Sequence, residues 1–379
     1  QKFNEYSFYV FNEEPVPSSY MPPLYFFFLY LNKLFTFGSF NFLYSVYFFQ
    51  IIFSTISVYL FFKLSNFFFI KKYALIGTGI FSVFPMLIYS NGLVSSASLQ
   101  LFLNLLFFKL FLDLLEKKYF FIFNKKTFLD ISVISIISAL NLLLRGEFLV
   151  IFLFSILYIF LVSRKNILVF LIIFISTFLI ISPYILRNYE NTGKLHIVNV
   201  SGFALWKGNN VLAPVEGIHR GLHPNSRLTW PKNSEFNNLY KKLDSIPKDK
   251  KFEINRDIIF GDEAIKNILA NKSYYIILYF KKIFSYFFFD FNSTLKNYYN
   301  PAHIIPIGII SLMCIPGIGL VVRKPFNLKI FYILSLMILM SGIISIFFIL
   351  PRYKITIISF QIIFAMFFIQ FLLDKIRKN

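Results

Sequence analysis

The chain is poor in the residues on which most soluble enzymes rely. Among 379 residues there is one cysteine, Cys314, with four histidines and two tryptophans. A lone cysteine inside an apolar run excludes a disulfide framework and a thiolate-built metal centre. Acidic residues are scarce too: 18 Asp and Glu stand against 38 Lys and Arg, a net charge of +20. Such an excess can mark a nucleic-acid binder, but here the cations fall in short clusters between long apolar runs. That distribution follows membrane topology, so nucleic acid is not an expected partner. His219 and His223 have ligand-like spacing, but Gly221 between them and Pro224 after them argue against a shared helical face. No cofactor is evident, and no ligand cluster is visible that would decide a divalent-metal dependence.

What the chain has in excess is apolar and aromatic surface: 57% of residues are hydrophobic and 21% aromatic, with a mean hydropathy of +0.66. A bilayer span needs about 20 apolar residues, and that pattern recurs along the chain. We read spans near 41–62, 73–90, 93–115, 128–145, 148–163, 166–186, 303–322, 330–349 and 355–373. The class is an all-α polytopic membrane protein.

The charges between spans alternate in kind. Lys63, Lys71 and Lys72 fall in one loop, and Lys117, Lys118, Lys125 and Lys126 in another. Arg164 and Lys165, then Arg323, Lys324 and Lys329, then Lys375, Arg377 and Lys378 continue on that side. The opposite short loops, near Ser90 to Leu93 and Arg145 to Glu147, are almost uncharged apart from the pair Arg145 and Glu147. The positive-inside rule makes the lysine-rich side cytoplasmic. Nine spans then put the C-terminus inside and Gln1 outside, with the expectation that a further span precedes Gln1.

Two apolar segments suit the interface better than the membrane core. Pro22 to Phe37 opens on Pro22-Pro23 and carries Asn32 and Lys33, and Lys281 and Lys282 interrupt Tyr274 to Phe291. Both are expected to lie as amphipathic helices in the outer leaflet, aromatic faces in lipid and lysines toward head groups. Residues 187–272 form the one long polar segment, a small outer cap with an amphipathic helix over Lys251 to Ala270. Three regions result: a membrane domain over 1–186, a cap with its interfacial helix over 187–300, and a C-terminal membrane domain over 301–379. Gly77-Thr-Gly79 and Gly317-Ile-Gly319 lie in apolar runs and suit helix packing.

Charges at span ends are the candidates for chemistry. Arg145 and Glu147, Arg187, and Arg352 all map to the outer boundary, beside the cap. Each alone could be a snorkelling anchor; three on one face suit a phosphate, which a guanidinium binds through a fork of donors while staying charged. A cation beside a departing phosphate stabilises the charge that develops there. A carboxylate would then take the acceptor's proton, and Glu13, Glu14 and Glu147 are the candidates. Glu147 is expected to pair with an arginine, and Asp113 to be structural.

Five short elements, in order, carry a family resemblance: Tyr20-Met-Pro-Pro-Leu-Tyr25, Leu142-Leu-Leu-Arg-Gly-Glu-Phe-Leu149, Ser182 to Gly193 around Arg187-Asn188-Tyr189, Gly202-Phe-Ala-Leu-Trp-Lys-Gly-Asn-Asn210, and Pro351-Arg-Tyr-Lys354. Together they resemble family 39 glycosyltransferases, the group similar to protein O-mannosyltransferases and aminoarabinose lipid A transferases. The resemblance implies a GT-C-like transmembrane bundle with a small extracytoplasmic cap, in a bacterial inner membrane. It implies transfer of a sugar from a polyprenyl-phosphate donor to a lipid, glycan or protein acceptor. Arg187, Arg145 and Arg352 would hold the donor phosphate. Tyr20, Pro22, Pro23, Tyr25, Asn188, Tyr189, Trp206, Asn209, Asn210 and Tyr353 would shape or brace the sugar pocket. The family's catalytic aspartate belongs upstream of the Pro-Pro-Leu-Tyr element, where residues 1–20 hold none, and is expected before Gln1. Ser95 to Ser98 stand where the family often has a glutamate. A lipid-linked glycan polymerase or ligase, and a flippase of lipid-linked sugar, are the alternatives.

Overall fold

The computed structural model describes residues 7–11, 14–36, 41–116, 125–162, 167–217, 236–293 and 299–378. The protein is an all-α polytopic membrane protein. Its membrane helices are α2 (Phe42–Ser65), a bent pair α3 (Lys71–Ser82) and α4 (Pro85–Asn91), α5 (Ala97–Glu116), α6 (Lys125–Leu144), α7 (Phe148–Val162), α8 (Ile167–Thr192), α13 (Pro301–Val322), α14 (Leu328–Ile346) and α15 (Ile355–Lys378), numbered in chain order with α1 and α9 to α12 below. Among the described residues seven helices are long and apolar enough to cross a bilayer, or eight if the bent pair counts as one.

Two of the nine expected spans therefore differ. The segment read as 73–90 breaks by 53° between Ser82 and Pro85, because proline cannot donate to the preceding turn and forces the residue before it out of the helical region. Phe84 is accordingly extended, at φ −68° and ψ 117°. The segment read as 148–163 is helical over 15 described residues, about 22 Å at 1.5 Å per residue, against roughly 30 Å of hydrocarbon.

The bundle packs around α15. Every residue from Ile355 to Phe367 is buried, by α13, α3, α5 and α14. A helix apolar on all sides is the kind that takes a central place. Gly317 explains the close approach of α13, since a Cβ there would sit 1.9 Å from the Phe364 carbonyl oxygen. A Cβ on Gly77 of α3 would likewise lie 3.0 Å from Met366 Cγ. Gly79 and Gly319 have open space around them, so in each Gly-x-Gly element the first glycine is the packing residue. Polar side chains tie the helices as well: Gln361 donates to the Phe287 carbonyl (2.7 Å) and to Ser311 Oγ (3.2 Å).

The described helix ends that flank the lysine-rich loops gather at one end of the bundle. There Lys329 pairs with Glu116, Tyr73 bonds Asp374, and Tyr158 donates to the Leu328 carbonyl at 2.6 Å. Asp113 pairs with Lys109 one turn away at 2.5 Å. Arg145, Arg187 and Arg352 lie at the helix ends opposite.

That opposite end carries the cap. A hairpin of β1 (Ser7–Phe11) and β2 (Glu14–Pro17) precedes α1 (Leu24–Phe35), and three helices follow α8: α9 (Ser201–Gly208), α10 (Asn237–Asp244) and α11 (Phe252–Ala270). The helix expected over Lys251 to Ala270 is α11. The hairpin, α9 and α10 lie in segments read only as polar loop; each element is too short to show a period. Val16 packs with Ile246 and Phe252, so the N-terminal segment rests on the cap.

The two interfacial segments are helical, as α1 and α12 (Lys272–Phe287), but with their polar groups turned differently. Asn32 is buried and accepts from Ser45 of α2 at 2.6 Å. On α12, Ile276, Ile277, Phe280 and Phe284 are exposed, while Lys282 is fully buried. Its ammonium donates to the Gly208 carbonyl (2.6 Å) and to Asn209 Oδ1 (3.3 Å). Lys281 keeps the expected outward position. The carbonyl left free at the end of α9 is what draws Lys282 inward.

Candidate functional site

The turn between α6 and α7 is Arg145-Gly-Glu147. Arg145 Nε donates to Ser96 Oγ at 2.9 Å, and Gln100 Nε2 donates to Glu147 Oε1 at 2.7 Å. Both partners stand at the start of α5. Among the described residues Glu147 makes no ion pair within 4 Å, and the expected pairing with an arginine is replaced by this neutral hydrogen bond. The turn needs glycine: a Cβ on Gly146 would meet Val198 Cγ1 at 2.5 Å.

From the far side comes the one-turn 3-10 helix Pro351–Lys354, which enters α15. Arg352, Arg145 and Glu147 all lie within electrostatic reach of the Tyr353 phenol, and Glu147 also reaches Tyr286. Tyr286 in turn donates to the Tyr353 carbonyl at 3.0 Å. Arg352 lines a cavity of about 300 Å³, counting the solvent at its mouth, with Tyr89, Ser90, Ser95 and the end of α4. Its Nε is buried and has no hydrogen-bond partner. Buried guanidinium nitrogens are normally satisfied, so this one marks a place for an acceptor.

The base of that 3-10 turn is anchored by a second buried group. Lys354 and Glu216 pair at 3.3 Å with side-chain exposures of 2% and 0%. Glu216 Oε2 also accepts from Ser285 (2.8 Å) and from Tyr299. The Lys354 pair fixes the chain two residues from Arg352.

Arg187 does not join Arg145 and Arg352. Its Nη1 donates to the Ser18 carbonyl (2.7 Å) and to Asn188 Oδ1 (3.1 Å). It sits beside Glu253 at the start of α11, which accepts the Ser19 amide at 2.9 Å. Burial raises the Glu253 carboxyl above the usual range, against the Ser19 and Ser18 hydrogen bonds and the charges of Arg256 and Arg187. His196, bonded to Ser19 Oγ at 2.8 Å, is lowered by burial. This second cluster ties the N-terminal segment to the cap.

The Gly202 to Asn210 element is α9 and its exit, not a loop. Asp257 caps it, accepting the Gly202 and Phe203 amides at 3.0 and 2.8 Å. Trp206 is fully buried among Phe203, Phe236 and Phe260, so it braces the cap and offers no face to a sugar. Asn210 Nδ2 donates to the Trp206 carbonyl at 2.9 Å while its Oδ1 accepts the Leu212 amide, also at 2.9 Å. Asn209 Nδ2 joins the Leu205 and Ile346 carbonyls, both at 2.8 Å. Asn188 is buried and donates to the His196 carbonyl at 3.0 Å. These asparagines shape the backbone.

Of the other expected site residues, Tyr189 is half exposed. Tyr25 donates to Gln50 Oε1 at 3.3 Å. Tyr20 packs near Phe203, with ring centroids 6.4 Å apart, Pro22 is buried, and Pro23 begins α1. Glu14 lies in β2; Glu13, His219 and His223 lie outside the described residues. Among the described residues no group of His, Cys, Asp and Glu is placed to hold a metal ion.

Sequence reasoning passed over Lys207. At the C-terminal end of α9 it is 7% exposed, its ammonium 4.0 Å from the Phe203 ring centroid and 4.8 Å from that of Phe348. Arg256 shares the Phe203 ring at 4.9 Å. Burial pushes Lys207 down to about 7, with Arg256 and then Arg352 adding to the shift. No signal in a Leu-Trp-Lys-Gly string separates such a lysine from a surface one. The protein-family, curated-protein and solved-structure comparisons return no match for this chain.

Proposed function

We propose that the protein is a membrane glycosyltransferase with a GT-C-like bundle, taking its sugar from a polyprenyl-phosphate donor. The acceptor is a lipid, glycan or protein at the cap face, the extracytoplasmic side of a bacterial inner membrane. The observation that carries this reading is that Arg145 and Arg352 both lie within electrostatic reach of the Tyr353 phenol at the cap end of the bundle, with a buried guanidinium nitrogen of Arg352 left unpaired. Arg187 serves the cap instead.

The step is a substitution at the anomeric carbon. The acceptor oxygen forms a bond to that carbon, and the bond to the phosphate oxygen breaks with its electron pair staying on phosphate. The acceptor proton goes to a carboxylate. Glu147 is the carboxylate beside the two arginines, and its bond from a neutral amide leaves it free to act as base. The resemblance assigns that role to an aspartate absent from residues 1–20. The leaving lipid phosphate gains charge as the bond breaks, so Arg145 and Arg352 favour the transition state over the ground state.

The test is transfer from a labelled polyprenyl-phosphate sugar by the full protein in liposomes. Arg352→Ala is expected to lower kcat by 10²-fold or more, a loss of the size seen for a removed transition-state donor. Full activity in that variant would refute the assignment. The break between α3 and α4 is the observation that favours a transporter, since broken helices line transport sites. Labelled donor that crosses the bilayer intact would establish that reading instead.

A further inference from the structure

Among the described residues Arg145 and Glu147 form no ion pair, although only Gly146 separates them. Two residues span at most about 7 Å of chain, and a guanidinium with five N–H donors readily meets a carboxylate over that reach. Helix dipoles explain where each charge stands. Arg145 follows the C-terminal end of α6, its amide donating to the Asn141 carbonyl, and Glu147 opens α7; these ends favour a cation and an anion respectively. They do not explain why the two charges stay apart.

Helix α5 supplies the reason. Ser96 stands at its N-terminal boundary, its carbonyl accepting the Gln100 amide at 2.8 Å, so Ser96 and Gln100 share one face a turn apart. Ser96 Oγ takes Arg145 Nε at 2.9 Å, and Gln100 Nε2 donates to Glu147 Oε1 at 2.7 Å. Both partners are neutral, so neither charge is cancelled by its bond. Both are also buried, at 9% and 8% exposure, which limits competition from water. The same face continues to Asn104, which donates to Thr356 Oγ1 at 2.8 Å and ties α5 to the start of α15. From α6, Asn141 Nδ2 donates to the Leu103 carbonyl at 3.2 Å. The helix that holds the two charges apart is itself held on two sides.

We propose that Ser96 and Gln100 are positioning residues that keep Arg145 and Glu147 from neutralising each other. Resting on the reading of Arg145 as a phosphate ligand and Glu147 as the base, the separation serves both partners of the reaction. It leaves a cation for the donor and a carboxylate for the acceptor proton. A carboxylate tied to a guanidinium is the weaker base, because an opposite charge within about 4–6 Å keeps it ionised to roughly 1–3 pH units lower. The other titratable and charged groups on this side are Tyr286 from α12, and Tyr353 with Arg352 from the 3-10 turn. Substitutions on α5 leave all three in place.

The experiment is infrared titration of the Glu147 carboxylate in the full protein in nanodiscs, its band identified by its loss in Glu147→Gln. Ser96→Ala with Gln100→Met removes both clamps. In that background Arg145→Met is expected to raise the titration midpoint by about one pH unit or more, because the freed arginine has paired with the carboxylate. In the clamped protein Arg145→Met should raise it by about half that or less. Equal shifts in the two backgrounds would overturn the separation. Ser96→Ala alone, the milder change, should show the dependence in part and carries the test if the double variant does not fold. Sugar transfer gives the second readout: kcat should fall about tenfold or more in the double variant. Transfer that the double variant leaves untouched would overturn the positioning role. The expected midpoints in a wild type that transfers no sugar keep the clamp and discard the enzyme.

Discussion

At the residue scale, one atom sets Arg352 apart from the other interfacial arginines: a buried Nε without a partner. Arg187, by contrast, has its bonds inside the protein. In the sequence the two look alike, each at the outer boundary of a span, and only packing separates them. Their variants should therefore fail in different ways. Arg352→Ala should keep the fold and lose phosphate binding. Arg187→Ala should loosen the N-terminal segment, which limited proteolysis would detect as faster cleavage near Ser18. Glu147→Gln keeps the shape of the turn and removes the base, so kcat should fall 10²- to 10⁴-fold with KM little changed. A KM change alone would make Glu147 a positioning residue.

At the element scale, the spans were legible because a bilayer demands some 20 apolar residues whatever the neighbours. The helix over Lys251 to Ala270 was legible from its amphipathic period. What did not show was anything set by tertiary contact: the hairpin at Ser7–Pro17, the short helix around a buried Trp206, and the inward turn of Lys282. Of the apolar glycines read as packing residues, Gly77 and Gly317 are so placed, while Gly79 and Gly319 face open space. Gly317→Ala should destabilise the α13–α15 contact by about 1–3 kcal/mol or more, because the Phe364 backbone cannot move aside as a side chain would. Gly319→Ala, with open space around it, should be neutral in the same thermal melt. The 3-10 turn at Pro351–Lys354 has an anchor of its own. Lys354→Met should cost roughly 3–5 kcal/mol by stranding Glu216, and Lys354→Met with Glu216→Leu should recover much of it.

At the scale of the whole molecule, the chain sorts its charge by end. The described helix ends that carry or flank the loop lysines gather at one end, and at the other stands the cap with its arginines and buried lysines. The side assignment rests on the clustered lysines and arginines of the short loops and the positive-inside rule. Burying Lys282 has a cost that pH can reveal. Its folded-state pKa is lowered to about 7 from 10.5, so between those values the unfolded chain binds more protons. Stability should rise with pH across that window, by up to about 1.4 kcal/mol per pH unit. Melting temperatures at pH 7 and pH 9 measure it, and because Lys207 is lowered to the same value, Lys282→Met should remove about half of the combined rise.

The function turns on whether the cap end of the bundle breaks the bond between a sugar and a lipid phosphate. Full-length protein in liposomes, given labelled polyprenyl-phosphate sugar and analysed by mass spectrometry, tests that directly. The expected result is free polyprenyl monophosphate together with a glycosylated product, both lost in Arg352→Ala. Recovery of the donor intact, on either side of the membrane and with wild type and Arg352→Ala alike, would contradict it.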